Sequence, residues 1–269
     1  LWEGLGYYSR VRNLQKAARI VCEQYGGQLP ADYDALRALP GIGDYTAGAI
    51  ASISFGIPVP AVDGNVLRVF SRLYNDPGII TEPAVKKAFT ARVMEHQPPD
   101  AAGDYNQALM ELGATLCGPN REPQCEACPC RDFCLGCRRG TAKDLPVKAP
   151  KRAKRVEEKT VYILRCGDRY ALRKRENKGL LAGLWEFPNI PGRFSPEEAL
   201  KELEKLGIQP KQLEKAVSRK HIFTHIIWDM TGIYAEAESE APGFTWLTAP
   251  ELEASAALPT AFRLFWEER

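Results

Sequence analysis

The sequence predicts two domains, an all-α domain followed by an α+β domain. Three observations carry this expectation. Apolar residues recur at helical spacing up to about residue 116, whereas beyond residue 160 they alternate as strands do. Between these patterns lies 138–159, with nine Lys and Arg against three Asp and Glu, Pro146, Pro150 and few large apolar groups. Such a composition makes a solvated basic linker, free to lie along a phosphate backbone or merely soluble. A length of 269 residues also suffices for two separate cores.

The elements follow in order. Residues 10–25 place Val11, Leu14, Ala18 and Val21 at helical spacing and stop at Gly26-Gly27. A short helix over 33–39 feeds the turn Leu39-Pro40-Gly41-Ile42-Gly43, and a helix over 44–53 leaves it. Gly41 and Gly43 permit a tight turn, and the helix behind them starts with unsatisfied amides, a ready site for a phosphate. Val62-Asp63-Gly64-Asn65 then opens a helix carrying Val66, Leu67, Val69, Phe70 and Leu73. This puts the Asp63 carboxylate at a helix start, which favours its ionised form. Further helices are expected over 82–95 and 104–116. In the second domain, 160–166 and 169–173 read as a hairpin around Gly167-Asp168, 196–206 as a helix, 226–235 and 244–247 as strands, and 261–267 as a closing helix. No internal repeat or low-complexity segment interrupts them.

A formal charge of +2 leaves any polyanionic partner to local patches. No run of about twenty apolar residues predicts a membrane span, and no signal-peptide pattern is present. Eight cysteines, most of them in one loop, point to metal ligation in a reducing cytoplasm rather than to disulfides. Cys117, Cys125, Cys128 and Cys134 supply four soft ligands at x7, x2 and x5 spacing, which suit a tetrahedral zinc or an iron–sulfur cluster. Their crowding favours the cluster over two separated zinc knuckles. Cys130 and Cys137 keep a second pairing open, with Cys125 and Cys128 joined by Cys134 and Cys137 around zinc. Cys22 and Cys166 read as ordinary buried thiols.

The stretch LPGIGDYTAGAI at 39–50, followed by VDGNVLRV at 62–69 and preceded by LWEGLGYYSRVRNL at 1–14, resembles the endonuclease III superfamily of DNA glycosylases. Within it the chain is similar to the MutY adenine glycosylase family over essentially its whole length. The resemblance implies a helix-hairpin-helix glycosylase domain over 1–137 with a [4Fe–4S] loop at 117–134. It further implies a linker over 138–159 and a Nudix-like 8-oxoguanine-recognition domain over 160–269. The implied partner is double-stranded DNA holding adenine opposite 8-oxoguanine, bound by a monomer.

The same resemblance assigns roles. Breaking an N-glycosidic bond develops positive charge on the sugar, and Asp63 would stabilise it; the alternative is a helix cap. Asn65 would hydrogen-bond in that pocket, or serve the turn. Tyr45 stands where strand-cutting relatives carry a Schiff-base lysine, so the chain is expected to release the base without cutting the strand; otherwise Tyr45 packs on the core. Tyr7 and Tyr8 would wedge into the duplex as the base flips out, or fill a core turn, and Arg10 would contact phosphate or solvate its helix. The family's general acid is a glutamate on an N-terminal helix, and Glu3 does not match its motif. The chain, which begins at Leu1, is therefore expected to be a fragment lacking that acid and inactive alone.

In the second domain, 179–188 looks like a Nudix entrance, while 195–207 has acids without the order R-E-x-x-E-E-x-G, so pyrophosphate hydrolysis is not expected. His221-Ile222-Phe223-Thr224-His225 resembles the Phe-Ser-His loop that reads 8-oxoguanine, with Thr224 keeping the hydroxyl. Two rival readings remain: a bifunctional lyase for oxidised pyrimidines, and a lesion-binding module without catalysis.

Overall fold

The computed structural model describes residues 7–150 and 153–269. It divides into two compact units, Ser9–Lys151 and one built mainly from Arg152–Arg269.

The first unit is helical: α1 (Tyr8–Gln24), α2 (Tyr33–Ala38), α3 (Asp44–Phe55), α4 (Gly64–Leu73), α5 (Pro83–Glu95), α6 (Ala102–Thr115) and the single turn α7 (Leu135–Arg138). Helix α1 buries Ala17 and Val21 against Leu36, Leu39, Ala47 and Ala51, while Leu14 is 64% exposed. The expected stripe is thus displaced: Ala17 and Val21 pack inward, while Leu14 and Ala18 are exposed. Helix α4 runs through the second core, where Val66, Leu67, Val69 and Phe70 pack with Ile80, Phe89, Val93 and Leu109.

The basic stretch expected as a solvated linker is largely ordered. Leu145 is buried, its carbonyl accepts from Arg72 Nε at 2.9 Å, and the Val147 carbonyl accepts from the Ile80 amide at 3.0 Å. Buried donors on the helical unit need acceptors, and this segment's backbone supplies them. At its other end, residues from Arg155 are already strand.

The second unit is a mixed sheet between two helical layers. Its strands are β1 (Arg155–Cys166), β2 (Arg169–Lys174), β3 (Trp185–Glu186), β4 (Asn189–Pro191), β5 (Pro210–Ile222), β6 (Ile226–Ala237) and β7 (Thr245–Thr248). The order is β3-β2-β1-β6-β5, with β4 on β1 and β7 on β2; β1 and β6 run parallel. Tyr162, Leu164, Ile233 and Ala235 pack one sheet face on Ala199 and Leu203 of α8 (Pro196–Lys205). Val161, Ile163, Trp228, Met230 and Tyr234 pack the other on α9 (Ala249–Ser255) and α10 (Thr260–Trp266). Strand β5 and helix α9 escape sequence reasoning. In β5 the run Lys211–Ser218 is mostly exposed polar side chains, as suits an edge strand guarded by charge, and it offers little apolar alternation.

Candidate functional site

The turn between α2 and α3 is built on Gly41, whose φ of +83° is left-handed and whose missing Cβ would lie 2.8 Å from Asn13 Cβ. Gly43 caps α3 with no side-chain acceptor, so the first amides of a twelve-residue helix remain available to an anion. Tyr45, in the first turn of α3, is 40% exposed and donates its hydroxyl to Met110 Sδ of α6 at 3.2 Å. Burial and then the Asp63 carboxylate push its phenol up from the ordinary value, so Tyr45 is a neutral hydroxyl facing a carboxylate.

Asp63 is the N-cap of α4. Its Oδ1 accepts from the amides of Asn65 and Val66 at 2.8 and 2.9 Å, and its Oδ2 accepts from Asn65 Nδ2 at 2.8 Å. Both oxygens are therefore held, and Asn65 holds one with its side chain. Asn65 Oδ1 in turn accepts from Arg68 Nη2 at 2.7 Å. Arg68 is 5% exposed and also donates to the carbonyls of Gly113 at 2.7 Å and Cys117 at 2.8 Å. Burial, and then the charge of Arg72, lower its pKa. One turn on, Arg72 donates to the Cys117 carbonyl at 3.0 Å and to Cys117 Sγ at 3.1 Å. A continuous set of polar contacts thus runs from the Asp63 carboxylate to the first cysteine of the loop.

Two residues in α6 make this geometry possible. Buried Asn106 accepts from the Ala61 amide at 3.1 Å and donates to Ser52 Oγ and the Val59 carbonyl at 2.8 and 2.9 Å, fixing the segment that leads into Asp63. At Gly113 an added Cβ would meet Asn65 Cβ at 2.6 Å, so only glycine lets α4 come this close. Sequence reasoning missed Arg68, Arg72, Asn106 and Gly113. The available signal was Arg68 and Arg72, four apart among Val66, Leu67, Val69 and Phe70, charges on an otherwise apolar helix.

In the cysteine loop, Cys117, Cys125, Cys128, Cys134 and Cys137 line one small cavity of about 20 Å³ with Arg72, Leu116 and Ala142. Burial pushes the thiols of Cys125 and Cys130 up to about 11, with neighbouring cysteines adding to it. Among the described residues, no three His, Cys, Asp or Glu side chains are close enough to clasp a single metal ion. The donors are all sulfur, Cys117 Sγ accepts from the Arg72 guanidinium at 3.1 Å, and Cys134 Sγ lies 3.5 Å from the Arg72 carbonyl, to which it donates. These are the surroundings of a thiolate-held soft metal centre, so the residues fit such a group. Cys22 is exposed and Cys166 half-buried, so neither is the buried thiol expected.

The remaining predicted residues are spread out. Tyr7 is 68% exposed with a φ of +46°, Tyr8 is half-buried and Arg10 exposed; the preceding motif residues, Glu3 and Gly6 included, lie outside the described residues. Phe223, Thr224 and His225 form the tip between β5 and β6, closed by the Phe223 amide on the Ile226 carbonyl at 2.8 Å. Phe223 packs edge-on against Trp228 and His221, with ring centroids 4.8 and 4.5 Å away, while Thr224 and His225 are exposed. On α8, Glu198 is committed to a capping box with Ser195.

The fold and site define a class: a helix-hairpin-helix unit with a carboxylate behind the hairpin, joined to a Nudix-like unit. Residues 1–95 match the HhH-GPD superfamily base excision DNA repair protein family, and residues 160–268 match the NUDIX domain family. The adenine DNA glycosylase of Rattus norvegicus is 34% identical over 328 residues, covering 100% of this chain and 63% of the relative. That of Homo sapiens is 33% identical, covering 98% and 60%, and that of Schizosaccharomyces pombe 31% identical, covering 94% and 67%. The chain belongs to the adenine DNA glycosylase family. It spans roughly three-fifths of the length of the mammalian relatives it matches. No helix among the described residues is long and apolar enough to cross a membrane.

Proposed function

We propose that the chain acts in base excision repair as a monofunctional glycosylase that removes adenine mispaired with 8-oxoguanine in duplex DNA. The observation that carries this reading is Asp63, held through both oxygens at the start of α4 and facing the hydroxyl of Tyr45 rather than a lysine ammonium. With the base flipped out of the stack, the carboxylate stabilises the oxocarbenium-like sugar as the N-glycosidic bond breaks, and water completes the hydrolysis. Tyr45 cannot form an imine, so the product is an abasic site. The free amides at the start of α3 bind a backbone phosphate near the flipped nucleotide. Tyr7, Tyr8 and Arg10 serve as wedge and backbone contacts. At the tip of the β5–β6 hairpin, Thr224 and His225 read the oxidised guanine while Phe223 braces them. A [4Fe–4S] cluster, when bound by the cysteine loop, supplies a rigid anchor for that loop rather than reaction chemistry. Protonation of adenine needs an acid, a role that none of the residues placed at this site fills.

The test uses duplex DNA with adenine opposite 8-oxoguanine, incubated with the chain alone and with the chain joined to the glutamate-bearing segment of a relative. Adenine release by the joined protein, with no borohydride-trapped adduct, is the expected result. Trapping would establish the lyase instead. Tight lesion binding without release by either protein would leave a binding module.

A further inference from the structure

We propose that Lys154 is a positioning residue for lesion recognition, its ammonium holding the tip of the β5–β6 hairpin in the shape that meets the oxidised guanine. The inference rests on the reading above that Thr224 and His225 contact that base. A hairpin ordinarily holds its own tip, here through the Phe223 amide on the Ile226 carbonyl at 2.8 Å. This tip has a further support. Strand β1 runs parallel to β6 with Arg155 beside Ile226, so the residues that start β1 lie alongside the tip. The Arg155 amide donates to the His225 carbonyl at 3.2 Å. Lys154, just before it, reaches across on its flexible stem and donates from Nζ to the Phe223 carbonyl at 2.8 Å. The carbonyls at both ends of the tip are thus clasped by the start of β1, with Thr224 between them.

The same strand end fixes the Phe223 ring. That ring packs edge-on against Trp228, and Trp228 Nε1 donates to Glu157 Oε2 at 2.9 Å. Phe223 is therefore held by its ring through Trp228 and by its carbonyl through Lys154. A loop that offers a hydroxyl and an imidazole to one base edge gains selectivity from being set before the base arrives. Lys154 is exposed, and its contact is a charged donor on a carbonyl, so it can be removed without opening the core. The rival role for such a lysine is a phosphate contact, which would weaken every duplex alike and make binding less sensitive to salt.

The experiment measures equilibrium binding of the full chain, Lys154→Met and Lys154→Arg to duplexes holding adenine opposite 8-oxoguanine or opposite guanine. Beside it, hydrogen exchange is followed in peptides covering residues 221–227 of the free protein. Lys154→Met keeps a flexible stem and loses the donor, whereas Lys154→Arg keeps a charged donor. Lys154→Met is expected to lose about threefold to tenfold of the preference for the oxidised base, to keep its affinity for the guanine duplex, and to exchange the tip amides faster; Lys154→Arg restores both. Equal loss of affinity for the two duplexes, with a shallower salt dependence, overturns the inference in favour of the phosphate contact. Unchanged preference, or unchanged exchange at the tip, overturns it too. A parent chain that does not distinguish the two duplexes refutes the underlying reading of the tip and the inference with it, a result that the parent alone gives and that is distinct from all of these.

Discussion

Replacing Asn65 with Ala removes the one side chain that ties the Asp63 carboxylate to the buried arginine. Two hydrogen bonds are lost, Asn65 Nδ2 to Asp63 Oδ2 and Arg68 Nη2 to Asn65 Oδ1. Hydrogen bonds to charged groups contribute about 1.5–3 kcal/mol each, but the losses are cushioned. Asp63 Oδ1 keeps both α4 amides, so the helix stays capped, and Arg68 keeps the Gly113 and Cys117 carbonyls. Asn65 is also half-exposed, so water replaces part of what is removed. The expected destabilisation is about 2 kcal/mol, or on the order of 5–8 °C in the melting temperature of the helical unit. The catalytic effect is larger. Oδ2 is freed to rotate away from the sugar, and misplacement of this kind costs on the order of tenfold to a hundredfold in rate. Single-turnover adenine release by the chain joined to a glutamate-bearing segment measures it, beside lesion-duplex affinity, which should hold. A variant that melts early yet releases adenine at the parent rate would refute the idea that Asn65 orients Asp63.

Asp63→Asn separates capping from chemistry: Asn is as good an N-cap as Asp, so melting should shift by less than about 1 kcal/mol while adenine release disappears; a large loss of stability would make Asp63 a structural residue. Gly113→Ala places a methyl 2.6 Å from Asn65 Cβ and should cost about 1–3 kcal/mol by overpacking, with a fall in rate as α4 is pushed off α6, read by melting and single-turnover kinetics. Burial holds the His221 pKa below its ordinary value. As pH falls below about 6.5 the unfolded chain takes up this proton before the folded one, so its contribution to stability is present above that pH and lost as pH falls through the folded pKa. Urea melts at about pH 7.5 and about pH 5.5 should show the second unit weaker in acid, and His221→Gln should reduce the difference.

Local signals made much of this molecule legible. The turn at Gly41 and Gly43, the capping position of Asp63, the helix of α4 and the crowded cysteines are short-range patterns, and each lies where its residues predict. Sequence likewise separated a helical part from a strand-bearing part, because periodicities of 3.6 and 2 need no tertiary information. The failures are those in which a long-range partner decides. Helix α1 buries Ala17 and Val21 rather than Leu14 because of where α2 and α3 meet it. Strand β5 carries a mostly polar run yet pairs along eleven registered positions of β6, since backbone groups, not apolar side chains, hold an edge strand.

By itself the sequence determined the groups to which the proposed chemistry is assigned: a carboxylate at a helix start, a tyrosine in the helix before it, a glycine turn and a set of cysteines. Those are properties of side chains and of the backbone within a few residues of them. Only the tertiary structure decided how the carboxylate is held and what it is joined to. Arg68 and Arg72 become buried connectors because Gly113 allows α4 against α6 and because carbonyls more than forty residues away, at Gly113, Cys117 and Leu145, accept from them. A buried guanidinium must find such partners or cost several kcal/mol, and nothing short of the folded chain says where they are.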